Sequence, residues 1–456
     1  MKTQIFFLFL LALCFQSCDS FVAVDLPDSQ LTGANVFKDR TTVNAAMVDV
    51  YSKLRDSGLL TGSLEGLSVN LGLYADELSY YGPSGNNAEF RFNNSLIDSD
   101  SSVLQIWNAS YNQIYSANAI IAGVENSVAL AQTDKNHFKG EALFVRALVH
   151  FYLVNLFGDI PYIKTTDYEQ NRLVHRMPVD AVYAAILTDL NQAVSLLPET
   201  YVTAERVRPN RATAYALLSR IYLYAGSWPE AANAASAVLN NPMYIWEDYL
   251  DKIFLKESTA TIWQFKPKTE GGNTDEGDSF NFVTGPPPNV ALSSTLLSSF
   301  SNADQRKVHW TAAVTDGTTT WYHANKYKQS YGAPSSMEYS IVFRLAEQYL
   351  IRAEARAQQG DLIGAKEDLN KIRHTAGLGD TPAVTANEIV TAVLNERRLE
   401  FFTEYGQRFF DLKRTGRLDE VLSISKPGWD SHDALWPIPA TEMLANPNLY
   451  PQNPSY

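Results

Sequence analysis

The chain has 456 residues and a hydrophobic content of 45%, enough to bury a large core as one domain or as two interleaved lobes. Its net charge of −13, from 37 basic and 50 acidic residues, argues against nucleic acid as a partner and provides no attraction to anionic lipid. Aromatic residues are abundant, with 24 tyrosines, 22 phenylalanines and 8 tryptophans, but composition does not separate core aromatics from ligand-binding ones.

The N-terminus is typical of an exported lipoprotein. An early lysine precedes a short apolar run, Ile5–Phe15, which is too short to span a bilayer, and a serine precedes Cys18. We therefore predict a signal peptide over residues 1–17 and lipid modification of Cys18, with ordinary signal-peptidase cleavage as the alternative. The other cysteine, Cys14, lies in the leader, so we expect no disulfide in the mature chain.

A polar tether over residues 18–40 leads into two segments with helical apolar periodicity. The first is marked by Val43–Leu54 and the second by Trp107–Ile121. Between them lies a long loop-like stretch that is rich in glycine, asparagine and serine and carries Tyr80 and Tyr81. Loops of this length in a compact domain are often functional.

A strong helix is predicted over His137–Phe157, and its partner over Asp180–Leu197. Each segment places apolar residues on one face, and Gly158 and Pro161 end the first helix. The two helices should form a hairpin with an insertion between them.

Two later segments repeat one pattern without a gap. In Arg211–Asn240 and Ile341–Leu378, Gly226 corresponds to Gly360, and the small Ala231 corresponds to Ala365. Helix pairs of about 34 residues are the signature of tetratricopeptide-like repeats, and each pair has a face that it cannot bury alone. Ser227 and Glu230 further predict a capping box at the start of the second helix of the first segment.

The pattern changes between residues 243 and 340 to short apolar runs, a glycine- and aspartate-rich stretch and scattered aromatics. We interpret this region as irregular, with little sheet. A further helix is predicted over Glu388–Glu404, and the chain ends in a proline-punctuated coil that must dock on the body to be ordered.

Four motifs, together with the lipoprotein leader, resemble the SusD/RagB family in the family's own order. They are GEALFVRALVHFYLVNLFGDIPY at residues 140–162, RLAEQYLIRAEARAQQGD at 344–361, LNERRLEFFTEYGQRFFDLKRTGR at 394–417 and LWPIPATEMLANPNLYPQNPSY at 435–456. Members of that family are cell-surface, glycan- or nutrient-binding lipoproteins of Bacteroidetes.

The resemblance implies a mainly α fold, a SusD-like α/α superhelix of four tetratricopeptide-like units with an irregular binding lobe. It also implies one SusD-like domain over residues 41–456, made of an N-terminal part at about 41–240, the irregular lobe at about 243–340 and a C-terminal SusD/RagB part at about 341–456. The family further implies a lipid anchor at the outer face of the outer membrane and a SusC-like, TonB-dependent transporter as partner. The lipoprotein acts there as a lid that delivers oligosaccharide without chemistry, so we expect neither catalytic residues nor a cofactor.

Saccharide binding uses flat aromatic faces with amide, carboxylate and guanidinium groups at their edges. Two stretches, Tyr80–Asn94 and Trp310–Tyr331, supply both kinds of group. The predicted ligand-binding residues are Tyr80, Tyr81, Arg91, Asn94, Trp321, Tyr322, Asn325 and Tyr331. The alternative for each is packing against the helical layer or against the transporter.

Other functions stay open at this point. A RagB-like branch of the family captures peptides, a tetratricopeptide adaptor would bury the loop aromatics in an interface, and a glycosidase would need a carboxylate pair that no motif marks. The acidic run Asn273–Asp278 does not match a calcium loop, and the histidines lack zinc-site partners, so no metal is expected. The acidic net charge favours a neutral glycan, unless Arg306, Lys307, Lys326 and Lys328 form a basic patch.

Overall fold

The computed structural model describes residues 33–456, so the predicted signal peptide, Cys18 and most of the predicted tether lie outside the described residues. The helices are α1 (Gly33–Val36), α2 (Arg40–Asp56), α3 (Leu67–Tyr74), α4 (Asn87–Phe92), α5 (Ser101–Asn126), α6 (Gln132–Phe157), α7 (Tyr168–Asn171), α8 (Val179–Leu196), α9 (Arg211–Tyr224), α10 (Trp228–Leu239), α11 (Asp275–Phe280), α12 (Ser294–Leu297), α13 (Gln305–His309), α14 (Leu345–Gln358), α15 (Leu362–Thr375), α16 (Ala386–Glu400), α17 (Gln407–Arg414), α18 (Leu418–Ser425) and α19 (Ala440–Ala445). The strands are β1 (Leu78–Tyr80), β2 (Thr261–Phe265), β3 (Val290–Leu292), β4 (Thr311–Thr315), β5 (Thr320–Ala324) and β6 (Ser340–Arg344).

Successive helix pairs build the scaffold. Helix α2 packs on α5, α6 packs between α5 and α8, and α9 and α14 pair with α10 and α15. Because α10 also packs against α14, the two segments that share one sequence pattern become neighbours although about a hundred residues separate them. The predicted mainly α, tetratricopeptide-like fold is confirmed.

The repeated glycines end equivalent helices. Gly226 and Gly360 have φ angles of 70° and 86°, a left-handed conformation that glycine adopts without strain. The equivalent Ala231 and Ala365 are fully buried, so the paired helices approach closely. The predicted capping box at Ser227 is wrong, because its side chain caps no backbone N–H, and the proline in the first turn marks the start of α10 instead.

A smaller lobe contains two two-stranded antiparallel sheets, β1 with β3 and β4 with β5, whereas a third such sheet, β2 with β6, packs Trp263 and Phe343 into the core of the helical scaffold. The lobe has its own apolar cluster, in which Trp310 is fully buried against Phe254, with ring centroids 5.4 Å apart. The hairpin of β4 and β5 was not predicted, because threonines and a glycine between short apolar runs suggested a loop. Helix α16 also ends at Glu400, four residues earlier than expected.

The long helix α6 forms the centre of the scaffold. Its 26 residues are apolar enough, by length and composition, to cross a membrane. Within its most apolar 18-residue window, 94% of the residues are buried, which is typical of the core helix of a large domain.

Buried ion pairs lock α6 to its neighbours. Arg146 donates two hydrogen bonds of 2.7 Å to Asp189 on α8, and Tyr162 donates a third to the same carboxylate. One turn earlier, Glu141 is fully buried and accepts hydrogen bonds from Arg208 and Tyr51. Glu141 and Arg146, which both belong to the motif at residues 140–162, therefore have a structural role.

Replacing Arg146 by methionine should leave the Asp189 carboxylate buried and uncompensated, and we expect the free energy of unfolding to fall by about 3–5 kcal/mol. Urea unfolding followed by circular dichroism measures this change. The double variant Arg146→Met/Asp189→Leu should recover part of the loss, since no unpaired charge is left. Equal stability of the single variant and the native protein would contradict the assignment.

Candidate functional site

The first predicted pair of aromatics lies at an edge where two distant segments meet. Strand β1 pairs with β3 so that Tyr80 faces Val290, and the backbone N–H of Tyr81 donates to the carbonyl of Asn289 at 2.7 Å. The Tyr81 side chain is 42% exposed, so its ring is available to a ligand. The chain segment before Asn289 is thereby held beside the two tyrosines.

That segment also contacts Trp321. A Cβ placed on Gly285 would lie only 2.1 Å from the indole carbon Cζ3, so only glycine lets the backbone lie against this ring. Trp321 is half-buried on β5, which lies beside β3. One short segment, residues 285–289, thus bridges Trp321 and Tyr81 although 240 positions separate the two in the sequence.

Amide groups lie next to Tyr80, the neighbour of Tyr81 in the sequence. A small cleft of about 50 Å³ next to Tyr80 is lined by residues that include Asn86, Asn87, Asn289 and Glu65. Within residues 33–456, the Asn289 side chain makes no hydrogen bond, and Asn86 uses its oxygen alone, to cap α4. We refer to Tyr80, Tyr81, Asn86, Asn87, Asn289 and Trp321 as the Tyr81–Trp321 surface.

The three asparagines of this surface were missed by the sequence analysis. Asn86 and Asn87 follow Gly85 in the stretch that was recognised as a long loop, so a search for amides beside loop aromatics would have found them. Asn289 had no such signal, because it reaches Tyr81 only through the pairing of β1 with β3.

Hydrogen bonds between its own residues fix the conformation of the loop that carries Tyr81, Asn86 and Asn87. The Glu89 carboxylate accepts hydrogen bonds from the Gly85 N–H at 2.6 Å and from the Ser84 hydroxyl, and the Tyr80 hydroxyl donates to the Pro83 carbonyl at 2.7 Å. These contacts fix the loop without using the Tyr81 ring, which leaves the surface preorganised.

Three further predicted ligand-binding residues lie outside the Tyr81–Trp321 surface. Tyr322 is half-buried and, with Tyr80, packs against the apolar cluster of the lobe. Asn325 is half-buried, and its backbone N–H donates to the Trp310 carbonyl. Tyr331 is half-buried and exchanges hydrogen bonds with Thr269 through its hydroxyl, so it belongs to a neighbouring segment.

Arg91 and Asn94 are buried, although Arg91 is among the residues that line the cleft next to Tyr80. Arg91 is fully buried in α4, where it donates to the Asn87 carbonyl and lies 3.8 Å from the Asp100 carboxylate. Asn94 is 5% exposed and donates to the Tyr74 carbonyl. Both side chains have internal partners, so we leave them out of the proposed ligand-binding surface. The sequence composition suggested a loop here, whereas the structure has helix α4, which turns the Arg91 side chain into the interior.

The suggested basic patch does not form. Arg306 and Lys326 are buried and pair with acidic side chains, and Lys328 contacts Asp251. Of the four cations considered, three are thus neutralised by carboxylates. Of the residues that line the cleft next to Tyr80, only Arg91 is basic, and its side chain is fully buried.

Part of the acidic run at 273–278 is structural. Asn273 is fully buried and accepts hydrogen bonds from the N–H groups of Met337 and Glu338. Glu276 is buried and accepts a hydrogen bond of 2.7 Å from the Ser340 hydroxyl. Across the described part of the chain, no three histidine, cysteine, aspartate or glutamate side chains cluster in a way that could hold a metal ion.

The chain matches two family signatures. One, described as starch-binding and associating with the outer membrane, covers residues 76–223, and the other, described as the SusD family, covers residues 300–456. Together they span about two thirds of the chain. The chain belongs to the SusD/RagB family. Two similar relatives come from Formosa agariphila: SusD-like protein P2, 28% identical over 94% of this chain and 95% of its own length, and SusD-like protein P25, 24% identical over 98% of both.

Solved SusD-like structures have the same fold over almost the whole chain. A laminarin-binding SusD-like protein is 25% identical, with a TM-score of 0.76 over 92% of this chain and all of its own. A SusD superfamily protein from Bacteroides vulgatus reaches a TM-score of 0.78 at 23% identity, with the same coverage. Surface glycan-binding protein A from Bacteroides thetaiotaomicron, solved with laminarihexaose, has a TM-score of 0.76 at 19% identity over 91% of this chain and 99% of its own.

The buried Glu276 should make the lobe sensitive to pH. Burial raises the pKa of this carboxyl from 4.5 to about 7, so its contribution to stability is present below pH 4.5 and is lost as the pH rises through 7. Glu276→Gln stays neutral, and we expect it to gain stability over the native protein between pH 5 and 8, by up to about 3 kcal/mol. Chemical unfolding at a series of pH values measures the difference.

The matched control is the exposed Glu367 on α15, whose replacement by glutamine should leave the difference in unfolding free energy independent of pH. A stability difference between Glu276→Gln and the native protein that does not change with pH would show that Glu276 is not protonated in the fold.

Proposed function

We propose that this protein is a cell-surface lipoprotein that captures an oligosaccharide or polysaccharide on the Tyr81–Trp321 surface and delivers it to a SusC-like, TonB-dependent transporter. The observation that carries the proposal is the junction of Tyr81 and Trp321 through residues 285–289, next to a cleft at Tyr80 that three asparagines line.

The chemistry of this surface suits a sugar. An indole and a phenol face offer flat apolar area that matches the C–H face of a pyranose ring, and aromatic side chains lose little conformational entropy when they bind. Asparagine amides both donate and accept hydrogen bonds, as do sugar hydroxyls. Among the residues that line the cleft at Tyr80, the one basic side chain, Arg91, is fully buried and lies 3.8 Å from the Asp100 carboxylate, which favours a neutral glycan over an acidic one.

The relatives support the same ligand class. The laminarin-binding SusD-like protein shares a quarter of its sequence with this chain and aligns over all of its own length. Laminarin is therefore the first polysaccharide to test. Peptide capture, known from RagB-like relatives, is the alternative, and the adaptor and glycosidase hypotheses have no observation in their favour: the Glu89 carboxylate at the surface is engaged in holding its own loop.

Lipidation of Cys18 stays a prediction from the leader sequence, and so does the placement of the protein at the outer face of the outer membrane. The transporter partner follows from family membership alone. Capture without chemistry likewise follows from family membership alone.

Truncation of either ring, Tyr81 or Trp321, should weaken glycan binding. We expect Trp321→Ala and Tyr81→Ala each to lower affinity about tenfold or more, since each removes one stacking face, a loss of about 1.4 kcal/mol. The change in affinity is measured by retardation in native gels that contain neutral and acidic polysaccharides, laminarin among them. The protein used begins at residue 19.

Two control variants sharpen this test. Trp321→Phe keeps an aromatic face and should retain part of the affinity, and Tyr249→Ala removes a tyrosine that is 66% exposed but lies outside the surface, so binding should not change. If a polysaccharide retards both alanine variants as much as the native protein, this location for the site is refuted. No retardation by any polysaccharide would favour peptide cargo.

A further inference from the structure

A second aromatic cleft lies on the scaffold, away from the lobe. It has a volume of about 350 Å³, within the range of small-molecule sites, and lies between α5, the segment 161–174 and the C-terminal segment 442–449. It shares no residue with the Tyr81–Trp321 surface. We call it the tail cleft.

Helix α5 supplies the aromatic floor. Trp107, Tyr111 and Tyr115 line the cleft at intervals of four residues, which places them along one face of the helix. Trp107 is buried, with its ring centroid 4.8 Å from that of Tyr111, whereas Tyr115 is 52% exposed. Across the cleft, Tyr168 is 73% exposed, so two tyrosine faces are open to solvent.

The walls of the tail cleft are fixed by hydrogen bonds between segments far apart in sequence. Asn446 donates to the Val174 carbonyl at 2.8 Å, and Asn448 donates to the Leu173 carbonyl at 2.9 Å. On the opposite side, the Tyr111 hydroxyl donates to the Pro161 carbonyl at 2.9 Å. The docked C-terminal segment thus forms one wall of the cleft before any ligand binds. Binding of a ligand therefore does not have to order this segment, which would cost entropy.

Polar groups of both kinds line the rim. Asn108 on α5 is exposed and offers an amide, and Arg172 offers guanidinium donors. Glu442 is half-buried and has no ion-pair partner within residues 33–456, and burial raises the pKa of its carboxyl. Donors and acceptors around open tyrosine faces match a ligand that carries many hydroxyl groups on an apolar ring.

We propose that the tail cleft is a second saccharide-binding site, in which Tyr115 and Tyr168 stack on sugar rings and Asn108, Arg172 and Glu442 bond their hydroxyl groups. The inference takes its ligand class from the proposed function. Two sites on one protein would let a single long glycan engage both, so that binding to a polymer is tighter than binding to either site alone.

The test compares four proteins on the polysaccharide panel that includes laminarin: the native chain, Tyr81→Ala/Trp321→Ala, Tyr115→Ala/Tyr168→Ala and the variant with all four changes. Because Tyr115 and Tyr168 are exposed, their truncation should leave the thermal unfolding midpoint unchanged. We expect Tyr115→Ala/Tyr168→Ala to lower the affinity for the polymer about threefold or more. The variant with all four substitutions should show no retardation.

A matched pair, Tyr115→Phe/Tyr168→Phe, keeps both rings and should keep most of the affinity, while Tyr249→Ala should bind as the native chain does. If Tyr81→Ala/Trp321→Ala loses binding and Tyr115→Ala/Tyr168→Ala does not, the second site is refuted while the proposed function stands. If only Tyr115→Ala/Tyr168→Ala loses binding, the second site stands and the Tyr81–Trp321 surface is refuted. Absence of retardation for the native chain on every polysaccharide refutes both.

Discussion

A buried network of charges joins the lobe to the helical scaffold, and the position of the Tyr81–Trp321 surface depends on it. Lys326 and Arg344, from the lobe side, both donate to Glu404, and Arg344 and Arg306 both contact Glu400 at the end of α16. All five groups are buried. Because an unpaired buried charge costs several kcal/mol, these pairs favour the arrangement of the two parts in which every one of the five groups has a partner.

That arrangement fixes what the lobe presents to solvent. Lys326 lies two residues after β5, so its anchoring sets the position of the strand that carries Trp321. Strand β3 lies beside β5 and pairs with β1, which brings Tyr81 to the same edge. The surface therefore sits on strands anchored to a rigid scaffold, although its residues come from loops and short strands of three separate segments. This is the organisation that a preformed site for stacking requires.

The helical part of the fold was predictable because its signals are local. Apolar periodicity placed α6, α8 and α14 to within a few residues, and Gly226 and Gly360 ended their helices as expected. The errors arose where short segments depend on distant partners. The hairpin of β4 and β5 has too few residues for a clear alternation, and α4 lies in a stretch whose asparagines and glycines resemble a loop.

The sequence by itself determined the family, the helix pairs and the aromatic supply of two stretches, because periodicity and motif order are properties of neighbouring residues. Only the tertiary structure decided which side chains face solvent, because exposure depends on contacts between segments hundreds of residues apart. Arg91 and Tyr81, ten positions apart in one predicted loop, show the difference: the first is buried beside Asp100, and the second lies open beside Asn289. The tail cleft likewise exists only because the C-terminal segment docks against residues 173 and 174.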